Sequence, residues 1–178
     1  MIEQRLVASD ELDRHELEAM RAMFAAAWGD GRFSDHDWDH TFGGVHILRS
    51  VDGTIVAHGA VVRRTLWLGE RPLRVGYLEA VATWPEHQGR GHGSAVVEAL
   101  DAIVVERYEL GGLSTGRAAF YERLGWLPWR GPLAVRTEDG DVATPEERSA
   151  VLVLPTPRMP EPDLDATLVC DRRPGDVW

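Results

Sequence analysis

The sequence predicts an α+β fold: a central mixed, mostly antiparallel sheet flanked by helices. Three observations carry this expectation. Strand-like runs separated by turn dipeptides at Asp52-Gly53 and Gly69-Glu70 describe an antiparallel meander. Ahead of it, apolar residues recur at helical spacing between Leu12 and Ala27. After it, Gly89, Gly91 and Gly93 crowd into a loop that runs directly into an apolar helical segment, which makes a strand–loop–helix crossover.

Taken in order, Arg5 to Ala8 reads as a short strand. Ser9 can cap a helix running to about Trp28, since Leu12, Leu17, Met20, Met23, Phe24 and Ala27 share a face. "GDGR" breaks it. In "SDHDWDHTFGG", Ser34 and Asp37 stand at capping-box spacing, and Gly43-Gly44 end a short second helix. "VHILRS", "TIVAHGAVVRRTLWL" and "LRVGYLEAVATW" are the strands of the meander. Ser94 to Tyr108 is helical, with Val97, Leu100, Val104 and Tyr108 on one face. "GGLST" is a short strand, and "GRAAFYERLGW" a helix stopped by Gly125. The last third adds "LAVRT", a turn at "EDGD", "AVLVLP" and "DATLVCD"; prolines at 155, 157, 160 and 162 separate the final two strands. No repeat or linker divides the chain, so residues 1–178 are expected to form one domain.

Composition narrows the function. Hydrophobic residues make up 44% of the 178, enough for a sizeable core. No apolar run approaches the ~18 residues of a membrane span. The acidic N-terminus lacks a secretory signature, so a cytoplasmic protein is expected. The single cysteine, Cys170, excludes an intramolecular disulfide and a cysteine-only metal site. Nineteen Lys+Arg against 29 Asp+Glu give a net charge of −10, which repels nucleic acid and anionic lipid. That acidity serves either solubility or a pocket for a polycation, and charge alone does not choose.

The glycine loop is more specific. A Walker loop needs a lysine after its last glycine, and none follows here. A dinucleotide fingerprint needs Gly-x-Gly-x-x-Gly, but its third place falls on Ser94 or Val96, and Trp84 to Gln88 separate the strand from the loop. Gln-x-x-Gly-x-Gly fits without adjustment, as Gln88-Gly89-Arg90-Gly91-His92-Gly93. Backbone N–H groups at a helix start can hold a pyrophosphate, and Arg90 and His92 can add positive charge.

This loop resembles the acetyl-CoA loop of the GCN5-related N-acetyltransferases (GNAT). "YLEAVAT" before it and "LSTGRAAFYERLGW" after it sit where that acyl-CoA N-acyltransferase fold has its splayed strand and its tyrosine-bearing helix. "FSDHDWDHTFGGVHIL", "VGYLEAVA", "GWLPWRGP", "TPEERSAVLVLP" and "CDRRPGDVW" further resemble the aminoglycoside 2'-N-acetyltransferases, over most of the chain.

The resemblance implies acetyl-CoA as co-substrate, no metal, and a cationic aminoglycoside acetylated by direct attack in a ternary complex. Val81, Thr83, Gln88, Gly89, Arg90, Gly91, His92, Gly93 and Ser94 would hold the coenzyme. Glu79 matches the general base, acting through a water or only pairing with the substrate, and Tyr121 matches the tyrosine that protonates the thiolate. The Val81 N–H would donate to the carbonyl oxygen as charge develops. Asp30, Asp37, Glu79, Ala80, Ser114, Glu147, Asp176 and Trp178, the last through a terminal carboxylate, would contact substrate.

A possible homodimer follows from the same family. Two departures stand out. The segment from Ser114 to Tyr121 is shorter than the family's, and "GDGRF" differs from its counterpart, with Arg32 opposed to a cationic substrate. The seven histidines show no convincing ligand spacing; His36 and His40, four apart, lie in an acidic helix. Two alternatives stay open: an acetyltransferase for another small amine or cell-wall amino sugar, and a non-catalytic module binding aminoglycoside or acetyl-CoA.

Overall fold

The structure, a computed structural model, describes residues 1–29 and 31–178. These residues form two compact units, Met1–Val62 with Leu78–Ala102, and Arg63–Tyr77 with Ile103–Trp178.

The first unit opens with β1 (Ile2–Ala8) and a single tight turn at Ser9–Glu11. The helix α1 (Arg14–Trp28) then starts at Asp13, not at the expected Ser9. Asp13 accepts from the Glu16 N–H at 2.8 Å, and Glu16 accepts from the Asp13 N–H at 3.0 Å. That reciprocal pair satisfies two orphan donors, whereas Ser9 has Leu12 at the reciprocal position. The expected capping box of α2 (Asp35–His40) is present: Asp37 Oδ2 accepts from the Ser34 N–H at 2.7 Å, and Ser34 Oγ accepts from the Asp37 N–H at 3.2 Å.

Beyond it, β2 (Val45–Val51) pairs antiparallel with β1 on one side and with β3 (Thr54–Leu68) on the other. Asp52 and Gly53 join β2 to β3 with φ of 49° and 82°, the conformation a two-residue hairpin turn needs. The core of this unit is Val7, Met20, Met23, Phe24, Leu48, Ile55 and Ala82, with Trp28, Phe33 and Trp38 packed against it. Side chains as large as Phe24 contribute roughly 1.5–3 kcal/mol each when fully buried.

β4 (Arg71–Thr83) and α3 (His92–Arg107) each contribute residues to both units. In the second unit the strand order is β6-β9-β5-β4-β3-β10-β7-β8. Its members are β5 (Leu110–Ser114), β6 (Leu127–Pro128), β7 (Leu133–Thr137), β8 (Gly140–Ala143), β9 (Val151–Pro155) and β10 (Leu168–Asp171). Two pairs are parallel, β4 with β5 and β10 with β7; the sheet is therefore mixed, as expected.

A short helix, α4 (Ala118–Glu122), precedes Gly125, whose φ of 94° ends the turn. β10 starts later than the expected Asp165 because that residue binds Arg130 at 2.8 and 2.6 Å, and the Ala166 carbonyl accepts from Trp129 Nε1 at 3.0 Å. Among the described residues no helix is long and apolar enough to cross a membrane.

Candidate active site

The expected site residues fall in both units. In the first, the end of β4 carries Glu79, Ala80 and Val81, all half-buried, between Leu78 at 4% and Ala82 at 5% exposure. Three successive residues of one burial class break the two-residue alternation of a strand, and Ala80 shows why. Its φ of 49° is left-handed, a conformation that costs an L-residue about 1–2 kcal/mol. The strand therefore kinks between Glu79 and Val81. His58, wholly buried, lies with Nδ1 2.8 Å from the Ala80 carbonyl oxygen.

The segment that leads into the glycine loop is tied to β3 and the loop to the end of β4. Trp84 donates its N–H to the Val56 carbonyl at 3.0 Å, and Gln88 Nε2 donates to the Thr83 carbonyl at 3.2 Å. Gly89 and Gly91 have φ of 73° and 80°, and a Cβ added at either would meet open space. The side chains are thus excluded by conformation, leaving a cradle of bare backbone. Ala95 N–H donates to the Gly91 carbonyl at 3.1 Å, so α3 starts at His92, two residues ahead of the expected Ser94. The N–H groups of His92, Gly93 and Ser94 lie in the first turn, where a helix offers no acceptor of its own.

The surroundings of His92 work against the positive charge expected of it. His92 is 6% exposed, and its Nδ1 accepts from Arg49 Nε at 3.1 Å. Burial first, then the charges of Arg49, His87 and Arg90, push its imidazole below the ordinary value. That disfavours its charged form, while Arg90 stands exposed in the same loop. Asp37 is half-buried with Oδ2 committed to capping α2, and Asp30 lies outside the described residues.

In the second unit, Ser114 ends β5 and is half-buried. Tyr121, 7% exposed, meets Phe120 and Trp126 edge-on, with ring centroids at 4.9 and 6.1 Å. Glu147 closes a tight turn, Pro145–Glu147. Burial, then Asp176 and Glu146, raise its carboxyl above the usual range. Asp176 and Glu146 are therefore near enough for their negative charge to be felt at Glu147.

The "GDVW" segment is firmly anchored. Trp178 is 2% exposed, its Nε1 donates to Thr144 Oγ1 at 2.9 Å, and its main-chain oxygen accepts from Arg173 Nη2 at 2.9 Å. Arg64 Nη2 donates to the Val177 carbonyl at 2.6 Å. Thr144 and Arg64 were not expected from sequence, since a threonine before a proline and an arginine in a strand carry no signal of their own. Among the described residues no three His, Cys, Asp or Glu side chains converge to hold a metal ion.

Known proteins match this chain along most of its length. A profile of the acetyltransferase (GNAT) domain matches residues 10–128. An aminoglycoside 2'-N-acetyltransferase of Mycolicibacterium fortuitum is 41% identical over 179 residues, covering 98% of this chain and 91% of that protein. The fold is shared with the GNAT family N-acetyltransferase YhbS of Escherichia coli, solved in complex with CoA, at a TM-score of 0.61 and 15% identity over 95% of this chain and 89% of that one. It is shared also with a GCN5-related N-acetyltransferase of Kribbella flavida, at a TM-score of 0.58 and 19% identity over 74% of this chain; this chain covers only 34% of that one. The chain belongs to the aminoglycoside 2'-N-acetyltransferase family of the GNAT acetyltransferases.

Proposed function

We propose that this protein transfers the acetyl group of acetyl-CoA to the 2'-amine of aminoglycosides, by direct attack in a ternary complex, and so confers resistance to them. The observation that carries the acceptor is the 41% identity, over 98% of this chain, with a relative of that name. The residues fit the donor: the bare backbone at Gly89 and Gly91 leads into the unpaired first turn of α3, which suits a pyrophosphate.

Bound acetyl-CoA supplies an activated acyl carbonyl. The chain's residues do the rest. Glu79 accepts the proton of the substrate ammonium, through a water, so that a neutral amine attacks. The Val81 N–H donates to the carbonyl oxygen as it gains charge. As the C–S bond breaks, Tyr121 gives its phenolic proton to the departing thiolate, and the proton shed by the newly acylated nitrogen restores the phenol through water. Asp37, Glu147 and Asp176 hold the remaining ammonium groups, with Ala80, Ser114 and Trp178 shaping the site, and Thr83, Gln88 and Arg90 steady the coenzyme. The cytoplasm, which supplies acetyl-CoA, is the proposed compartment, and a homodimer the proposed assembly.

Thiol release tests the reading. A drug bearing a 2'-amine should release CoA, and a matched drug bearing a 2'-hydroxyl should not. Release with both, or with neither, would contradict it.

A further inference from the structure

Two buried histidines have no part in the mechanism above. His46 on β2 and His58 on β3 are both 0% exposed. They lie in a continuous chain of contacts: Ser9 Oγ to His46 Nε2 at 2.8 Å, His46 Nδ1 to His58 Nε2 at 2.9 Å, and His58 Nδ1 to the Ala80 carbonyl oxygen at 2.8 Å. The rings of Phe42 and Phe24 pack on His46 and His58 respectively.

The last link determines all the others. A carbonyl only accepts, so His58 Nδ1 carries hydrogen. His58 Nε2 must then accept, so His46 Nδ1 carries hydrogen as well. His46 Nε2 accepts in turn, from the Ser9 hydroxyl. Ser9 Oγ is left to accept the N–H groups of Gly43 and Gly44, both at 3.1 Å. Each ring donor has one acceptor, the Ser9 hydroxyl has the Gly44 carbonyl at 3.1 Å as a longer alternative to His46 Nε2, and the chain closes with two neutral rings. Burial agrees with this, holding His46 down to about 4 and His58 to about 3.

Such a chain cannot ferry protons, because its inner end is a carbonyl with nothing to give or take. It can hold a conformation. Ala80 sits at φ 49°, where an L-residue does not rest unaided, and its carbonyl is the group that His58 grips. Glu79 and Val81 are its neighbours in sequence, so the rotation at Ala80 decides where both point.

We propose that His58, backed by His46 and Ser9, is a positioning residue for acetyl transfer: it locks Ala80 in the left-handed conformation and so aims the Glu79 carboxylate and the Val81 N–H. This rests on the roles given above to Glu79 and Val81.

The test uses the full chain. His58→Leu removes the donor and should lower kcat about a hundredfold, the scale of a 1 Å misplacement. CoA itself, titrated calorimetrically, should bind within about twofold of the parent, because the loop is untouched and the Val81 N–H serves the acetyl carbonyl, which free CoA lacks. His58→Asn keeps an amide N–H near the Nδ1 position and should recover most of kcat. In an Ala80→Gly background, where positive φ carries no penalty, His58→Leu should cost clearly less than in the parent. Unchanged kcat in His58→Leu, no recovery in His58→Asn, or equal losses in the two backgrounds would each overturn the proposal.

Nitrogen NMR of labelled histidines in the parent needs neither acceptor nor variant. It should find both rings protonated on Nδ1 alone at pH 7, and a proton on His58 Nε2 would overturn the proposal even if His58→Leu fails to fold. A parent enzyme that releases no thiol rejects the acetyl-transfer reading instead, and the tautomer then decides whether the chain of contacts stands.

Discussion

Glu147 carries opposing demands. Its carboxyl is raised by burial and by Asp176 and Glu146, so its charge at pH 7 destabilises the fold. Glu147→Gln removes that repulsion and should raise the melting temperature while also raising KM for the aminoglycoside; a variant that loses both stability and affinity would contradict the role. Glu79→Gln should lower kcat by about 10²–10⁴-fold while CoA titration is unaltered, and undiminished turnover would exclude it as base. His46 and His58 make an opposite pH argument. Both fall from 6.5 to about 4 and about 3, so between those values the unfolded chain binds more protons than the folded one. Stability is full above about pH 6.5 and is lost as pH falls toward their folded values. The urea midpoint should therefore drop from pH 7 to pH 5, and drop less in His58→Asn. These two histidines were visible in sequence only as residues with poor metal spacing. What makes them matter is a register across two strands and a backbone angle at Ala80, and neither leaves a signature in one dimension.

At the scale of elements, legibility followed the strength of local chemistry. The Ser34–Asp37 capping box and the Asp52-Gly53 turn depend on residues a few positions apart, and both were readable. The start of α1 differs from the expected Ser9 because Ser9 has no reciprocal partner, whereas Asp13 has Glu16 in that place. β6 and β8 were missed for a different reason. Leu127-Pro128 is too short to show a pattern, and Gly140–Ala143 is exposed throughout, so no alternation marks it. The loop's glycines were legible as a spacing, but their division of labour was not. Gly89 and Gly91 take positive φ, which predicts that Gly91→Ala costs about 1–2 kcal/mol in stability and also weakens CoA binding. Arg90→Ala should weaken CoA binding without the stability loss. If Gly91→Ala binds CoA as the parent does, the cradle lies elsewhere.

For the whole molecule, the charge of −10 acquires a role beyond solubility. An acidic protein attracts a polycation from a distance, so kcat/KM for the aminoglycoside should fall as salt rises, with kcat held nearly constant. A light-scattering mass of twice the chain would support the homodimer, and a monomer mass would remove it. The regiochemistry of transfer is read on the product. Incubation with carbon-13-labelled acetyl-CoA and an aminoglycoside carrying several amines, followed by NMR of the isolated drug, locates every acetyl group. A single label, on the 2'-nitrogen, is the expected result. A label on any other nitrogen, or an unlabelled drug after full incubation, would contradict it.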